Sequence, residues 1–111
     1  MYIDFKSKGK LLIVELSGEL DHHSAQEVRT KVDDRLDRLD VKKLIFDFSE
    51  VSFMDSSGIG VIIGRYKKLS IRNGIVGIAS VSGSIKRIFE LSGIFKIIKV
   101  YKSVDEAVKN L

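Results

Sequence analysis

The sequence predicts an α/β fold: one domain over residues 1–111, with a mixed, mostly parallel sheet of about five strands and about four helices in the order ββαβαβαβα. Three observations predict it. Short runs rich in Val and Ile alternate with segments whose apolar residues recur at helical spacing, a pattern that favours parallel strands joined by crossover helices. An alternating run followed by a dense apolar run opens the chain and adds an antiparallel hairpin. Finally, 111 residues at 44% hydrophobic and 31% charged suit one core and leave no room for a second domain.

The elements follow in chain order. Tyr2 to Lys6 alternates polar and apolar side chains and Leu11 to Leu16 is nearly all apolar, with Ser7, Lys8, Gly9 and Lys10 as the turn. Ser24 with Glu27 spells a capping box, and Ala25, Val28, Val32, Leu36 and Leu39 form one helical stripe. Lys43 to Phe48 reads as the third strand. Ile59, Ile62, Ile63, Tyr66 and Leu69 then mark a helix that stops near Asn73-Gly74. Ile75 to Ala79 is the fourth strand, and Ile85, Ile88 and Phe89 define a short helix from about Ser82 that Gly93 ends. Ile97 to Tyr101 is the last strand. Ser103 and Glu106 repeat the capping-box pattern ahead of Val104, Ala107, Val108 and Leu111, the stripe of a terminal helix.

Composition narrows the function classes. Without cysteine there are no disulfides and no thiolate metal sites, which suits a reducing cytoplasm. No apolar run reaches the roughly 18 to 20 residues that span a bilayer, and no secretory pattern opens the chain, so a soluble, cytoplasmic protein with no membrane partner is expected. The formal charge of +4 is uneven: residues 1–54 hold 9 basic and 11 acidic side chains, residues 55–111 hold 10 and 4. That bias steers acidic partners. Direct nucleic-acid binding is not expected, because Lys67, Lys68, Lys86, Arg87, Lys96, Lys99 and Lys102 are scattered and lack any recognised motif.

The chemistry concentrates in Phe53-Met54-Asp55-Ser56-Ser57-Gly58-Ile59-Gly60, at a strand-to-helix junction. A helix start presents unpaired N–H groups and a positive dipole end, so a serine there can cap the helix, or carry or bind an anion. One capping oxygen suffices, yet three polar residues are lined up. Gly58 and Gly60 each weaken the first turn by roughly 1 kcal/mol relative to alanine, as if a second surface had to come close. Val61 falls off the apolar stripe and is expected to meet that surface. Gly18 to His23 and Val51 to Ser57 both lie beyond strand ends and are expected to be neighbours.

Other readings fare worse. Gly58, Gly60 and Gly64 loosely imitate a dinucleotide fingerprint, but about nine residues separate the predicted strand end from Gly58, and Ala79-Ser80 offers no acid for a ribose. A serine hydrolase would use Ser56 with His22 or His23 as base and Asp21 or Asp55 to orient it, yet no Gly-x-Ser-x-Gly elbow exists. His22, His23 and Asp21 make an incomplete metal set, and neither metal nor cofactor is expected.

Met54 to Gly60 resembles the signature of the STAS domain, the sulfate-transporter and anti-sigma-factor-antagonist family. Gly18-Glu19-Leu20-Asp21-His22-His23, Gly64-Arg65-Tyr66-Lys67 and Ser92-Gly93-Ile94-Phe95-Lys96-Ile97-Ile98 are similar to its sporulation branch, whereas the stress-response antagonists share the Asp-Ser-Ser-Gly motif. The resemblance implies that Ser56 is phosphorylated by an anti-sigma factor that is itself a serine kinase. It implies that the unmodified form binds the ADP-bound kinase and frees the sigma factor, and that a serine phosphatase reverses the modification. Asp21, His22, Asp55, Ser57, Gly58, Gly60, Val61 and Arg65 are then the expected partner surface, and the chain is substrate rather than enzyme. Transporter-linked members carry the domain after a long membrane region, and none precedes Met1 here, so a free-standing regulator is expected.

Overall fold

The computed structural model describes all 111 residues. Nine regular elements and one short 3-10 turn follow in order: β1 (Tyr2–Lys8), β2 (Leu11–Leu20), α1 (Ala25–Leu39), β3 (Lys43–Met54), α2 (Ser56–Ile71), β4 (Ile75–Ala79), α3 (Gly83–Ser92), the turn Ile94–Lys96, β5 (Lys99–Tyr101) and α4 (Val104–Asn110). The predicted element order stands. The strands form one sheet in the order β1-β2-β3-β4-β5, antiparallel only between β1 and β2.

Because the strand order equals the chain order, the crossovers never reverse. α1, α2 and α3 therefore line one face, where Val28, Val32, Ile62, Leu69 and Phe89 pack on Leu12, Val14, Leu44, Phe46 and Ile78. The other face is covered by α4, whose Ala107 joins Ile45, Ala79 and Tyr101 in a smaller apolar cluster. Burial of this apolar area is the dominant favourable term holding the layers together.

Two strands outrun their sequence signal. β3 continues six residues past Phe48 to Met54, carrying an extra residue against β2 at two points: Glu15 and Ser17 face Asp47 and Glu50, and Gly18 and Glu19 face Val51 and Phe53. These bulges reset the side-chain phase, so Phe48, Val51 and Met54 all turn inward at a spacing of three rather than two. A search for alternation therefore stops at Phe48. β2 likewise runs on to Leu20 through Gly18, whose φ of 101° suits a residue without Cβ. At the far end β5 is shorter than expected, because the N–H groups of Ile97 and Ile98 bond back to the Ile94 carbonyl of the 3-10 turn instead of joining the sheet.

The two capping boxes fare differently. Ser103 Oγ accepts from the Glu106 N–H at 3.1 Å, while the Glu106 carboxylate reaches the Lys102 N–H at 3.3 Å. Ser24 makes no cap: its hydroxyl donates to the Glu19 carbonyl at 2.8 Å, and its own backbone is already helical. The start of α1 is instead organised by Asp21.

Candidate functional site

Asp21 sits in the loop between β2 and α1, where its Oδ1 accepts from the N–H groups of His23 at 2.9 Å and Ser24 at 3.1 Å. Ser24 Oγ closes the loop by accepting from the Asp21 N–H at 3.0 Å. The Ser24 N–H holds the Asp21 carboxyl below its usual range; desolvation opposes it, and the His23 N–H adds a smaller push in the same direction as Ser24. Asp21 is thus a turn-forming residue as well as a surface charge.

Asp55 stands at the N-cap of α2 with extended backbone. Its Oδ1 accepts from the Ser57 N–H at 2.8 Å, and its Oδ2 accepts from the His22 N–H at 3.2 Å. One carboxylate therefore caps α2 and clasps the neighbouring loop. The Asp55 N–H completes the clasp by donating to the Leu20 carbonyl at 3.3 Å. Gly18 to His23 and Val51 to Ser57 are neighbours as expected.

With Asp55 as the cap, Ser56 is the first residue of α2. It is exposed, and its hydroxyl has no hydrogen-bond partner. The site is thus a bare hydroxyl at the positive end of a 16-residue helix, flanked by Asp55 and reached from one side by the Asp21–His22 loop. Gly60 also opens outward, and a Cβ there would meet nothing within 4 Å. Phe53, half exposed at the end of β3, adds an apolar side chain beside the octet that belongs with this surface. Its signal was its place in the octet, one residue out of phase with inward Met54.

Three expected contact residues are corrected. Val61 is wholly buried: α2 wraps its first turns over the extended end of β3, which widens the inward face beyond the predicted stripe. Gly58 is buried as well. A Cβ there would lie 2.5 Å from Met54 Cγ and 3.0 Å from Leu20 Cδ2, so this glycine lets α2 approach the sheet rather than a partner approach α2. Arg65 turns inward between the helices, its Nε 2.9 Å from Asp33 Oδ1. That approach is close but not aligned as a hydrogen bond, and Nη1 finds no partner either, so charge rather than direction holds the pair. Burial draws its guanidinium below the ordinary range, with Asp33 opposing, yet it stays protonated.

Lys68 and Arg72 extend this link. Lys68 lies 3.8 Å from Asp33 and 3.1 Å from Asp37, and Arg72 donates to the Leu36 carbonyl at 3.0 Å besides pairing with Asp37. The later turns of α2 are thereby fastened to α1 through a run of alternating charges.

The geometry bears on the competing readings. Ser56 forms no hydrogen bond to either histidine, and both candidate orienting carboxylates are engaged by backbone N–H groups. The His22 and His23 rings pack edge to face, 5.8 Å apart, instead of converging on a third ligand. For the dinucleotide reading, the separation of about nine residues is corrected: β3 reaches Met54, so only Asp55, Ser56 and Ser57 precede Gly58. The buried face of Gly58 and a strand order without a reversal still argue against a cofactor crevice, since such crevices form where helices diverge to opposite faces. No helix is long and apolar enough to cross a membrane.

Comparison with known proteins places this geometry. The STAS domain model matches residues 2–107. The anti-sigma F factor antagonist of Paenibacillus polymyxa is 36% identical over 111 residues, covering 100% of this chain and 95% of that protein. The anti-sigma-B factor antagonist of Listeria monocytogenes is 35% identical over 88 residues, covering 77% and 74%. The solved structure of the Bacillus cell fate determinant SpoIIAA in its phosphorylated form superposes with a TM-score of 0.78 at 28% identity, covering 97% of each chain. The chain belongs to the STAS domain family and, within it, to the anti-sigma factor antagonists.

Proposed function

We propose that this domain is a phosphorylation-controlled anti-anti-sigma factor of the cytoplasm, switched at Ser56. Unmodified, it binds an ADP-bound anti-sigma serine kinase through Asp21, His22, Asp55, Ser57 and Gly60, with Phe53 as an apolar anchor, and so frees a sporulation sigma factor. With ATP in the kinase, Ser56 Oγ attacks the γ-phosphorus, the bond to the ADP leaving group breaks, and the hydroxyl proton passes to a kinase carboxylate. A serine phosphatase hydrolyses the phosphoserine and resets the cycle.

The observation that carries this reading is the unpartnered Ser56 hydroxyl at the start of α2. Phosphate there adds about −1.5 to −2 charges to a surface that already holds Asp21 and Asp55, which repels and desolvates a docked partner. The same phosphate is tolerated in the free domain by the helix dipole, so the change is local. The sporulation assignment draws on the anti-sigma F relative matched along the whole chain. Of the supporting segments, those around Arg65 and Phe95 send Arg65, Ile94 and Ile98 into the interior, so they speak for descent and Asp21-His22-His23 for contact.

Incubation with the cognate kinase and ATP tests the reading. Peptide mass spectrometry should find phosphate on Ser56 alone, and phosphate elsewhere or nowhere overturns it. Ser56→Ala should bind the kinase whether or not ATP is present, and Ser56→Asp should bind at least about tenfold more weakly. A serine-directed fluorophosphonate should leave the folded protein unlabelled, whereas a stoichiometric adduct on Ser56 would restore the hydrolase reading.

A further inference from the structure

Away from Ser56, a cleft of about 350 Å3 opens between α3, the Ile94–Lys96 turn and β5. Its walls are Val81, Phe95, Ile98, Val100 and Tyr101, and Lys86 and Lys102 stand among them. We infer that this cleft binds a small apolar carboxylate, with its hydrocarbon against the walls and its head group between the two ammonium groups.

Three features carry the inference. The size falls in the range of about 300–1,000 Å3 typical of small-molecule sites, and a mostly apolar lining with a few charged groups is their usual make-up. The walls are anchored: Phe95 stacks on Phe89 with centroids 5.7 Å apart, and Phe89 meets Phe48 edge to face at 5.1 Å, so one side of the cleft continues an aromatic column from the core. Lastly, neither Lys86 nor Lys102 joins any ion pair, although both are exposed in the half of the chain with excess positive charge. Glu106, on the following helix, directs Oε2 to the Lys102 N–H at 3.3 Å and forms no ion pair with either lysine.

The chemistry selects the ligand class. A nucleotide base presents several donors and acceptors at once, whereas the only uncharged polar side chain in the lining is that of Tyr101. A neutral hydrocarbon leaves two unpaired cations at the rim unused. An apolar chain with one carboxylate uses both wall and rim. This site is separate from the Ser56 surface, so its fate does not depend on the phosphorylation reading.

Octanoate and 1-octanol are the probes, titrated into the isotope-labelled full chain and followed by amide shifts. Octanoate should move the amides of Val81, Lys86, Phe95, Val100 and Lys102, with a Kd about three- to tenfold tighter than that of octanol, as expected for partly exposed charge pairing. Lys86→Gln combined with Lys102→Gln should erase that preference and leave octanol binding unchanged. Val100→Glu, at an exposed position on the edge strand, should weaken octanoate while the protein stays folded. Shifts elsewhere or none at all, equal affinity for the two probes, or a preference that survives the double Gln variant would each overturn the inference.

Discussion

The two ends of α2 are built on opposite plans. At its start a hydroxyl is bare, Gly60 is open and, beyond apolar packing on the sheet, the side-chain fastening is the two-oxygen clasp of Asp55. At its end Arg65, Lys68 and Arg72 interlock with Asp33 and Asp37 of α1, and Leu69 is fully buried. One helix thus carries both an offered end and a rooted end. The rooted end fixes the direction in which the offered end points, so the Ser56 hydroxyl is exposed on a helix that is held in place.

The contrast can be broken at the rooted end first. Asp33→Ala leaves the Arg65 guanidinium buried without its carboxylate and should cost about 2–3 kcal/mol in urea unfolding, below the roughly 3–5 kcal/mol of a wholly buried pair because Asp33 is a third exposed. Arg65→Met should cost clearly less, since it removes the charge along with its partner's role; equal losses would mean that packing, not charge, roots the helix. At the offered end, Asp55→Ala removes a cap and the clasp to His22 together, for an expected loss of about 1–2 kcal/mol and faster amide exchange at His22 and Ser57.

The glycines sharpen the comparison further, because their expected signs differ. Gly58→Ala must displace Met54 and Leu20 and should lose about 1 kcal/mol net of its better helix propensity, whereas Gly60→Ala should gain about 0.5–1 kcal/mol. If Gly60→Ala also weakens kinase binding, that glycine is kept for the partner; unchanged binding would remove it from the surface. The smallest effect concerns Asp21. Its carboxyl is depressed by folding, so the stability it contributes is present above its ordinary value of 3.8 and is lost as pH falls through the lower folded value. A carboxyl carbon titration by NMR should place its midpoint below 3.8, and Ser24→Ala should raise that midpoint.

Most of the fold was legible because its signals are local. Val28, Val32 and Leu36 declare a helix by spacing alone, Ile75 to Ala79 matches its strand at both ends, and Gly93 ends α3 in the left-handed conformation expected of it. What stayed hidden depends on pairing between distant segments. The last turns of β3 are defined by bulges against β2, and Val61 and Gly58 become inward only because that longer strand lies beneath them. Ser24 and Glu27 spelled a cap that Asp21 took over, since a carboxylate accepting two N–H groups outcompetes a hydroxyl. At the site, Ser56 and Asp55 were legible from residue type and position. Arg65 was not, because its carboxylate comes from another helix.

The sequential strand order has a consequence for how the domain opens. Each strand is laid beside the one before it, so the sheet can be dismantled from its last member inward. β5 is three residues long and pairs only with β4, which makes it the cheapest edge to release. Amide exchange should therefore begin at β5 and α4 while β2, β3 and the start of α2 remain closed. Fluctuations at that edge would open the lysine-rimmed cleft beside it and leave the Ser56 end of α2 undisturbed, two separate surfaces on separate clocks.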